Sequence, residues 1–568
     1  MKNALYDSYI RAIRWASDRI GNSGVIGFVT NAGFVEANTA DGLRQCLVEE
    51  FSSIYVFHLR GNQRTSGEMS RKEGGKIFGS GSRAPIAISL LVKNPEAKEH
   101  GKIYFHDIGD YLSQAEKLEK IKSFTSIAGI SAVHGWQVVE PDGHGDWLQQ
   151  RDEGFDQFIK LGDKRGNEPK LFENYSRGLQ TGRDAWCYNA SRSALAANMQ
   201  SMIAFYNDEV ERFNAVHLRL DKKVRETKVD GFINIDPTCI SWTRGLKQEL
   251  VSGRKFNADE SCLIPSFYRP FTKQWLYFNR NMNEMILQMP RFFPDAATEN
   301  RAIMIKGNWS GDGQIAIMTN TASSDQPDGG AQCFPLYVYD EVADINATGG
   351  GQGGLFDTSI APQRKRRDAL TEEGLKHFQK SYPGEDIGRE DVFYYVYGLL
   401  HSREYLDKYA DNLGKELPRI PCVKTAAGFY AFSRAGRELA ELHLNYESVT
   451  PYAANVVGGS KSSDYLVEKM KYGKGKDKST LHYNDKIKIT GIPLEAYDYV
   501  INGKPALDWV VERQCVKTDK ASGIVNDSNA WSIDTMSNPK YPLELFLRVV
   551  TVSLETMKIV KGLPALDI

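Results

Sequence analysis

The sequence predicts an α/β protein in which part of a doubly wound sheet is followed by an α+β region and a small helical bundle. Three observations support this fold class. Residues 6–92 alternate helical periodicity with short, continuous apolar runs. Residues from about 130 to 340 form short, aromatic-rich segments broken by Gly, Pro and Asn. Beyond residue 369, apolar residues recur at helical spacing.

The first segment has the pattern of strands covered by helices. Tyr6, Ile10 and Ile13 share one helix face, and the glycines at 21 and 24 end that helix. Apolar runs then predict strands at 25–29, 54–59 and 87–92, with a second helix at about 39–51. We expect these strands to form a mostly parallel, doubly wound sheet, in which ligands bind at the carboxyl ends of the strands.

The rest of the chain divides into three predicted parts. Residues 126–340 form the α+β region, with a helix near 194–213. The segment 341–368 joins a glycine-rich stretch to the basic run 364–367, so it is predicted to be an exposed linker. Residues 369–568 begin with a helical bundle and then mix short strands with helices, among them 506–513 and an amphipathic helix from 543 to about 559.

Composition excludes several classes of protein. The 568 residues include 71 Lys or Arg and 72 Asp or Glu, so a formal net charge of -1 gives no global attraction to nucleic acid or anionic lipid. Any such binding must come from local patches. We expect a cytoplasmic protein with no membrane partner, because the sequence shows neither a membrane-spanning apolar stretch nor a secretory signal. The seven cysteines match no zinc-binding spacing, and no metal site is predicted.

Two glycine-containing turns are candidates for ligand binding. The turn 30–34 stands at the carboxyl end of a predicted strand, where Asn31 could pair with a base edge and Phe34 could stack on a base. A plain helix cap explains the same residues equally well. The glycine-rich loop 78–82 leads directly into a strand rather than into a helix, which favours an ordinary loop over a cofactor loop. No pattern singles out a catalytic residue.

Two aromatic and basic segments are candidates for DNA contacts. Arg177 and Arg183 flank a glycine-punctuated loop, and arginine forks pair with phosphate or with guanine edges. An internal ion pair between Arg183 and Asp184 would explain that loop without DNA. Tyr268 and Arg269 lie in a second segment of this kind, whose aromatic residues are also typical of a core.

The stretch 461–488 is a third candidate. It holds eight lysines against four acidic residues, with Tyr and His interleaved and glycines at 473 and 475. Lys471, Lys474 and Lys476 lie in this glycine-containing middle, where they suit phosphate contacts that weaken with salt. A solvated lysine face remains the alternative.

Several segments resemble enzymes that modify DNA. Residues 5–16 and 24–34 resemble the part of an adenine-N6 DNA methyltransferase that follows its Asn-Pro-Pro-Tyr motif, and residues 75–93 resemble the strands that close its sheet. Six further motifs resemble the C-terminal specificity region of Type ISP restriction–modification enzymes. They are TGRDAW at 181–186, YRPF at 268–271, YYVYGLLHS at 394–402, PRIP at 418–421, IPLEAY at 492–497 and VKTDK at 516–520.

This resemblance implies a domain order. In that family one polypeptide carries a nuclease, a helicase-like ATPase motor, an adenine methyltransferase and a target-recognition region. Residues 1–125 would be the end of the methyltransferase domain, and 126–340 the first part of the target-recognition region. The linker 341–368 would join it to the C-terminal specificity region, 369–568. In this arrangement Asn31 and Phe34 line the target-base pocket.

The resemblance also implies the function. The chain would recognise duplex DNA for an enzyme that methylates adenine N6 and directs cleavage of unmodified DNA. Arg177, Arg183, Tyr268 and Arg269 would contact DNA for recognition, while the three lysines position its backbone. The nuclease, ATPase motor and methyltransferase core would be partners upstream, on the same polypeptide or on a separate chain. The alternative is a non-catalytic scaffold that docks a helicase or nuclease.

The full enzyme uses S-adenosylmethionine, but this sequence contains neither the family's glycine loop for that cofactor nor an Asn-Pro-Pro-Tyr motif. We therefore expect no complete cofactor site in this chain and no methylation by the chain alone. A fragment, a truncated reading frame or one piece of a split system would each explain this. The opposite hypothesis is a complete methyltransferase with an atypical donor site.

Overall fold

The computed structural model describes residues 3–65, 67–79, 83–307, 313–325, 330–341 and 364–568. They form two compact units. The first contains Met1–Gln157 and Tyr409–Glu416, and the second contains Phe158–Gly307, Gly313–Lys408 and Leu417–Ile568. Most of the glycine-rich loop 78–82 and most of the linker 341–368 lie outside the described residues.

The first unit is built on a five-stranded sheet. Its strands are β1 (Gly24–Asn31), β2 (Ser53–His58), β3 (Ile86–Lys93), β4 (Lys102–Asp107) and β5 (Gln137–Val139), in the order β1-β3-β2-β4-β5. Its helices are Ser8–Ser17, Gly33–Glu36, Asp41–Glu50, Gly67–Glu73, Gln114–Phe124, Ile127–Ala132 and Ala410–Leu413. The unit extends beyond the predicted end at residue 125, because β5 pairs with β4.

The expectation of a mostly parallel sheet is wrong. Only β2 and β4 pair in parallel, and the other three pairs of this sheet are antiparallel. The reason is the position of β3, which follows a long connection and inserts between β1 and β2 in the opposite direction. The sheet is therefore mixed, although β1, β2 and β4 all run the same way and end at one edge.

Both faces of this sheet are covered by hydrophobic clusters. Ile54 and Val56 of β2 belong to one cluster, together with Phe34. Phe57, the next residue along β2, belongs to the other cluster. Successive side chains of a strand point to opposite faces, so this division shows that β2 is buried on both sides. The prediction of a sheet between two apolar layers is confirmed in this respect.

A buried ion cluster lies beside the first hydrophobic layer. Asp146 is 1% exposed, and its carboxylate accepts a hydrogen bond of 2.6 Å from the guanidinium of Arg44, which is 0% exposed. The Lys415 ammonium lies 2.7 Å from the other oxygen of Asp146, and Arg151 Nε lies 3.3 Å from that oxygen. Arg44 also donates to the carbonyl oxygen of Gly145 at 2.8 Å. One buried carboxylate therefore balances the buried cations Arg44 and Lys415 and the partly exposed Arg151.

The second unit consists of several small sheets. One three-stranded sheet contains Tyr188–Asn189, Leu263–Arg269 and Thr272–Tyr277. A four-stranded sheet contains Ser176–Arg177, Ala302–Ile305, Ala316–Thr319 and Gln332–Pro335. Another three-stranded sheet contains Ile159–Gly162, Lys170–Phe172 and Arg419–Ile420. The fourth is Asn455–Val457, Lys471–Tyr472, Thr480–His482 and Lys488–Thr490. The two-stranded sheets are Tyr337–Glu341 with Arg364–Asp368, Val500–Ile501 with Lys504–Pro505, and Val516–Thr518 with Val525–Asp527.

Several helices pack against these sheets. The longer ones are Arg192–His217, Lys222–Phe232, Arg244–Val251, Glu372–Ser381, Arg389–Leu399, Ala426–Leu444, Ala506–Arg513 and Tyr541–Lys561. Single turns of helix occur at Asp184–Cys187, Met289–Phe292 and Ser528–Ala530, and a short helix at Arg403–Lys408. The mixed α+β character of this part of the chain agrees with the sequence pattern.

The basic run 364–367 is not part of an unstructured linker. It lies in the strand Arg364–Asp368, which pairs with Tyr337–Glu341 in antiparallel register. Arg367 donates a hydrogen bond of 2.6 Å to Asp340, and the guanidinium of Arg366 lies 4.4 Å from the centre of the Tyr337 ring. The strand partner supplies an acid and an aromatic ring for the arginines, which explains why this highly charged sequence is ordered.

Two helices of the bundle cross without side chains between them. The helix Arg389–Leu399 approaches the helix Ala426–Leu444 at Gly398 and Gly436. A Cβ atom on Gly436 would lie 1.9 Å from the carbonyl oxygen of Tyr394, and one on Gly398 would lie 2.2 Å from that of Phe432. Glycine is required at both positions because the opposing backbone occupies the space of a side chain.

Candidate nucleic-acid interface

The predicted base-pocket turn has two different parts. Asn31 is the last residue of β1 and is half-buried, in register with Ile86 of β3. Phe34 is 0% exposed and packs against Tyr9 and Trp147, with ring centres 6.5 and 6.3 Å apart. Its ring is enclosed by the core and offers no open face to a base. Phe34 is therefore a core residue in this structure, and the prediction of a base contact remains for Asn31 alone.

Two polar residues that the sequence did not single out share this edge with Asn31. They are His58 at the end of β2 and Asp107 at the end of β4. Asp107 accepts hydrogen bonds of 2.7 Å from Arg60 Nε and from the backbone of Gly109, and its Oδ2 lies 3.9 Å from His58 Nδ1. Burial lowers the pKa of His58 to about 4, so its imidazole is neutral at pH 7. The sequence signal for His58 was its place at the carboxyl end of the predicted strand 54–59, whereas no strand was predicted before Asp107.

Arg183 is a structural residue. It is 4% exposed, and its guanidinium donates 3.1 Å to the carbonyl oxygen of Met282 and 2.6 Å to Thr243 Oγ1. Burial lowers its pKa. The expected contact with DNA is wrong for this conformation, because the charged group points into the protein. The alternative pair with Asp184 is not what holds it either, since Asp184 accepts a hydrogen bond from Thr181 instead.

Replacing Arg183 by alanine is expected to destabilise the second unit by about 2–4 kcal/mol, because two buried acceptors are left without their donor. The salt dependence of any DNA binding should not change. Denaturant unfolding and binding titrations at several salt concentrations measure the two effects. Arg177→Ala is the matched control, since that side chain is 41% exposed and should leave stability unchanged. An equal stability loss in both variants would contradict the structural role.

Three separate chain segments meet around Tyr268. The backbone N–H of Leu179 donates 2.9 Å to the carbonyl oxygen of Ser323, and the N–H of Ser324 donates 3.2 Å to that of Phe267. A Cβ on Gly178 would lie 2.1 Å from the Ser324 carbonyl oxygen, so only glycine permits this approach. The structure thereby brings the Arg177 loop and the Tyr268 strand together.

The side chains at this junction form what we call the recognition cluster: Arg177, Gln180, Asp184, Tyr268, Arg269 and Asp325. The guanidinium of Arg269 lies 3.9 Å from the centre of the Tyr268 ring and 3.7 Å from Asp184. Arg177 lies 4.0 Å from Asp325, which also accepts a hydrogen bond of 2.5 Å from Gln180.

The residues of the recognition cluster differ in how much of each side chain is exposed to solvent. Arg269 is 9% exposed, because Tyr268 and Asp184 cover it, whereas the Arg177 side chain is 41% exposed. Arg177 and the half-buried Tyr268 are thus the members best placed to touch another molecule, and Arg269 orients the Tyr268 ring from behind.

The three predicted lysines form an exposed group, the lysine loop (471–476). Lys471 begins a strand that pairs with Thr480–His482, and Lys474 and Lys476 follow in the turn around Gly475, whose φ is 71°. All three are exposed, and within the described part of the chain none has a carboxylate at ion-pair distance. The neighbouring Lys478, by contrast, lies 2.9 Å from Asp508. The loop therefore carries unneutralised positive charge.

Metal-binding groups, membrane-spanning helices and disulfides were looked for among the described residues. They contain no group of three or more His, Cys, Asp or Glu that could hold a metal ion. No helix among them is long and apolar enough to cross a bilayer. The seven cysteines are all unpaired thiols.

Comparison with known proteins gives matches over the whole chain. The family model of the Type ISP C-terminal specificity domain matches residues 170–545. A nuclease-deletion mutant of the Type ISP restriction–modification enzyme LlaGI, in complex with a DNA substrate mimic, is 38% identical with a TM-score of 0.83, over 99% of this chain and 41% of that one. No curated protein matches the sequence.

Two further solved structures are similar. The ATP-dependent Type ISP restriction–modification enzyme LlaBIII, bound to DNA, is 36% identical with a TM-score of 0.83, over 100% of this chain and 34% of that one. The DrdV–DNA complex is 30% identical with a TM-score of 0.79, over 99% of this chain and 53% of that one. The chain thus spans a third to about half of the chains it resembles.

The fold and these matches define the class: the chain corresponds to part of a restriction–modification enzyme, including its specificity region. Within that class, it belongs to the Type ISP C-terminal specificity domain family. The resemblance of the six motifs to the Type ISP C-terminal specificity region is therefore confirmed.

Proposed function

We propose that this chain recognises the DNA target of a Type ISP enzyme that methylates adenine N6 and directs cleavage of unmodified DNA. The observation that carries the proposal is that two features occur together within residues 170–545, which the family model matches. They are the exposed lysine loop, whose lysines have no carboxylate at ion-pair distance among the described residues, and the recognition cluster with its arginines and Tyr268. The similar proteins LlaGI, LlaBIII and DrdV were solved with DNA or a DNA mimic, which supports it.

The two groups would have different tasks. Phosphate contacts set the register of a protein on DNA, while contacts to base edges read sequence. Lys471, Lys474 and Lys476 suit the first task because flexible, exposed ammonium groups adapt to phosphates. Arg177 suits the second, since its guanidinium is partly exposed and can pair with a guanine edge, and Tyr268 adds an aromatic surface beside it.

Methylation would need a cofactor site and a catalytic core in addition to the turn 30–34, the recognition cluster and the lysine loop. At the turn 30–34, Ala32 and Phe34 are 0% exposed, and the Ala32 N–H donates 2.8 Å to the carbonyl oxygen of Pro85. This packed turn does not fit S-adenosylmethionine, so we derive no catalytic step through that cofactor here. The methyltransferase core, nuclease and ATPase motor would be upstream, on the same polypeptide or a separate chain. Asn31 would then contribute to the wall of a flipped-base pocket.

The terminal position of β1 is an argument that a methyltransferase core would continue the sheet of the first unit. β1 ends the described sheet, and its Val25 and Val29 are 63% and 54% exposed. Another strand can extend a sheet at such a terminal strand. Transfer of labelled methyl groups to DNA by the purified chain alone would contradict this division of labour.

The central test is duplex binding by the purified chain. We expect sequence-dependent binding that persists at about 0.2 M salt, which non-specific phosphate contacts alone do not give. Fluorescence anisotropy with a randomised duplex library, followed by selected and scrambled duplexes, measures it. Sequence-blind binding that disappears at this salt concentration would contradict target recognition. Tight association with a helicase or nuclease and no affinity for DNA would establish the scaffold alternative.

The lysine loop gives a sharper prediction. Replacing Lys471, Lys474 and Lys476 by alanine is expected to reduce the slope of log Kobs against log salt by about 0.9 for each phosphate that is no longer neutralised. Preference for the selected duplex over the scrambled one should survive. A triple alanine variant at Lys376, Lys380 and Lys558 is the control, because those lysines are exposed elsewhere in the same unit. Equal slopes for the two triple variants would show that the loop does not contact DNA.

A further inference from the structure

A short β-hairpin stands next to the lysine loop. It consists of Val516–Thr518 and Val525–Asp527, and we call residues 516–527 the basic hairpin. Lys469, just before the lysine loop, forms an isolated antiparallel bridge with Cys515, just before the hairpin. The N–H of Val516 also donates 3.0 Å to the carbonyl oxygen of Glu468. These backbone contacts hold the start of the hairpin against the strand that leads into the loop.

The acidic residues of the hairpin are committed to local hydrogen bonds. Asp519 accepts hydrogen bonds of 2.8 Å from the N–H and from the hydroxyl of Ser522, within the turn of the hairpin. Asp527 accepts 2.9 Å from the N–H of Asn529 and caps the following helical turn. Lys517 and Lys520 are exposed and, among the described residues, have no ion-pair partner. The hairpin therefore presents the ammonium groups of Lys517 and Lys520 to solvent.

The hairpin is also tied to the sheet of the recognition cluster. Asn526 donates 3.2 Å to Gln274 and accepts 3.0 Å from the N–H of Ala190. Asn189 donates 3.0 Å to the carbonyl oxygen of Val525. Gln274 lies on the strand that pairs with the Tyr268 strand. The hairpin is thus fixed between the lysine loop on one side and the recognition cluster's sheet on the other.

We propose that the basic hairpin is a second phosphate contact, in which Lys517 and Lys520, with Lys469, grip the DNA backbone next to the base pairs that the recognition cluster reads. The proposal rests on the proposed DNA-recognition function. Its geometry suits a backbone: Lys469 and Lys471 are exposed on either side of the buried Met470, so their side chains leave the same face of this extended segment. The hairpin lysines add charge beside this row.

The test is a Lys517→Ala, Lys520→Ala double variant of the full chain. We expect the salt slope of duplex binding to fall by about 1.8, because two phosphates are no longer neutralised, with the preference between selected and scrambled duplex unchanged. Lys517→Arg with Lys520→Arg should retain the slope, since arginine keeps the charge. Lys376→Ala with Lys380→Ala is the control. Lys517 and Lys520 are exposed, so we expect the double alanine variant to keep the wild-type unfolding midpoint, which verifies that its fold is intact.

A wild-type slope in the double alanine variant would overturn the hairpin proposal while leaving target recognition standing. Failure of the unmodified chain to bind duplex DNA would instead reject the function on which it rests. A second readout is alkylation of Cys515, which lies half-buried at the base of the hairpin. DNA should slow its reaction with iodoacetamide several-fold, whereas the exposed Cys46 of the other unit should react at the same rate. Unprotected Cys515 in the DNA complex would also count against the proposal.

Discussion

Replacing Asp146 by alanine is expected to lower the free energy of unfolding of the first unit by about 3–5 kcal/mol, the usual cost of removing one partner from a buried ion pair. Arg44 and Lys415 are 0% and 4% exposed, so both cations would remain in the interior without their carboxylate. Such a change is a large fraction of the total stability of a domain. The variant should therefore unfold at much lower urea concentration.

Trp147 provides the signal for this experiment, because it is 2% exposed and directly follows Asp146. The chain has nine tryptophans, so the part of the fluorescence change that is lost in a Trp147→Phe background reports unfolding around the ion cluster. Asp18→Ala is the control from the same unit: Asp18 also pairs with an arginine, but both side chains are about half exposed, at 51% and 46%. Solvent screens such a pair, so the control should keep the wild-type midpoint. Equal midpoints for the two variants would show that the Asp146 charge is not needed.

The second large effect is expected at the helix crossing in the bundle. Gly436→Ala would place a methyl group 1.9 Å from the carbonyl oxygen of Tyr394, well inside van der Waals contact. The helices Arg389–Leu399 and Ala426–Leu444 would have to separate, opening a gap along buried aromatic residues. Overpacking costs about 1–3 kcal/mol where side chains can adjust, and this clash is with backbone, so we expect about 3 kcal/mol or more.

Gly231→Ala is the matched control for this substitution. Gly231 is also within a helix of the second unit, and a Cβ there would meet no atom within 4 Å. Alanine at that position should stabilise the helix by about 0.5–1 kcal/mol, because it restricts the unfolded chain. Circular dichroism during thermal unfolding compares the two variants. If Gly436→Ala melted no earlier than wild type, the close approach of the helices would be wrong.

Local patterns predicted the elements that depend on neighbouring residues. The helix predicted at 506–513 is observed as Ala506–Arg513, and the long amphipathic helix predicted from 543 is observed as Tyr541–Lys561. Their apolar spacing alone carries this information. The three lysines of the loop are also exposed as expected, because a glycine-rich, highly charged turn cannot be buried without partners.

Sequence reasoning failed where a residue depends on partners far along the chain. Arg183 is buried because Thr243 and Met282 supply acceptors from 60 and 99 residues away. In sequence, an arginine that follows a glycine-containing loop looks the same whether it faces water or the interior. Phe34 is enclosed for the same reason, since Trp147 is distant in sequence. The position of β3 between β1 and β2 depends equally on long-range pairing.

The exposed edge of β1 has a practical consequence for handling the isolated chain. The strand Gly24–Asn31 contains no charged residue and no proline, the two features with which proteins commonly guard a free strand edge. Two copies of the chain could therefore join β1 to β1 and continue the sheet across both molecules. Concentrated preparations will favour this self-association, and a competing strand or a lysine introduced at Val25 or Val29 would keep the protein monomeric.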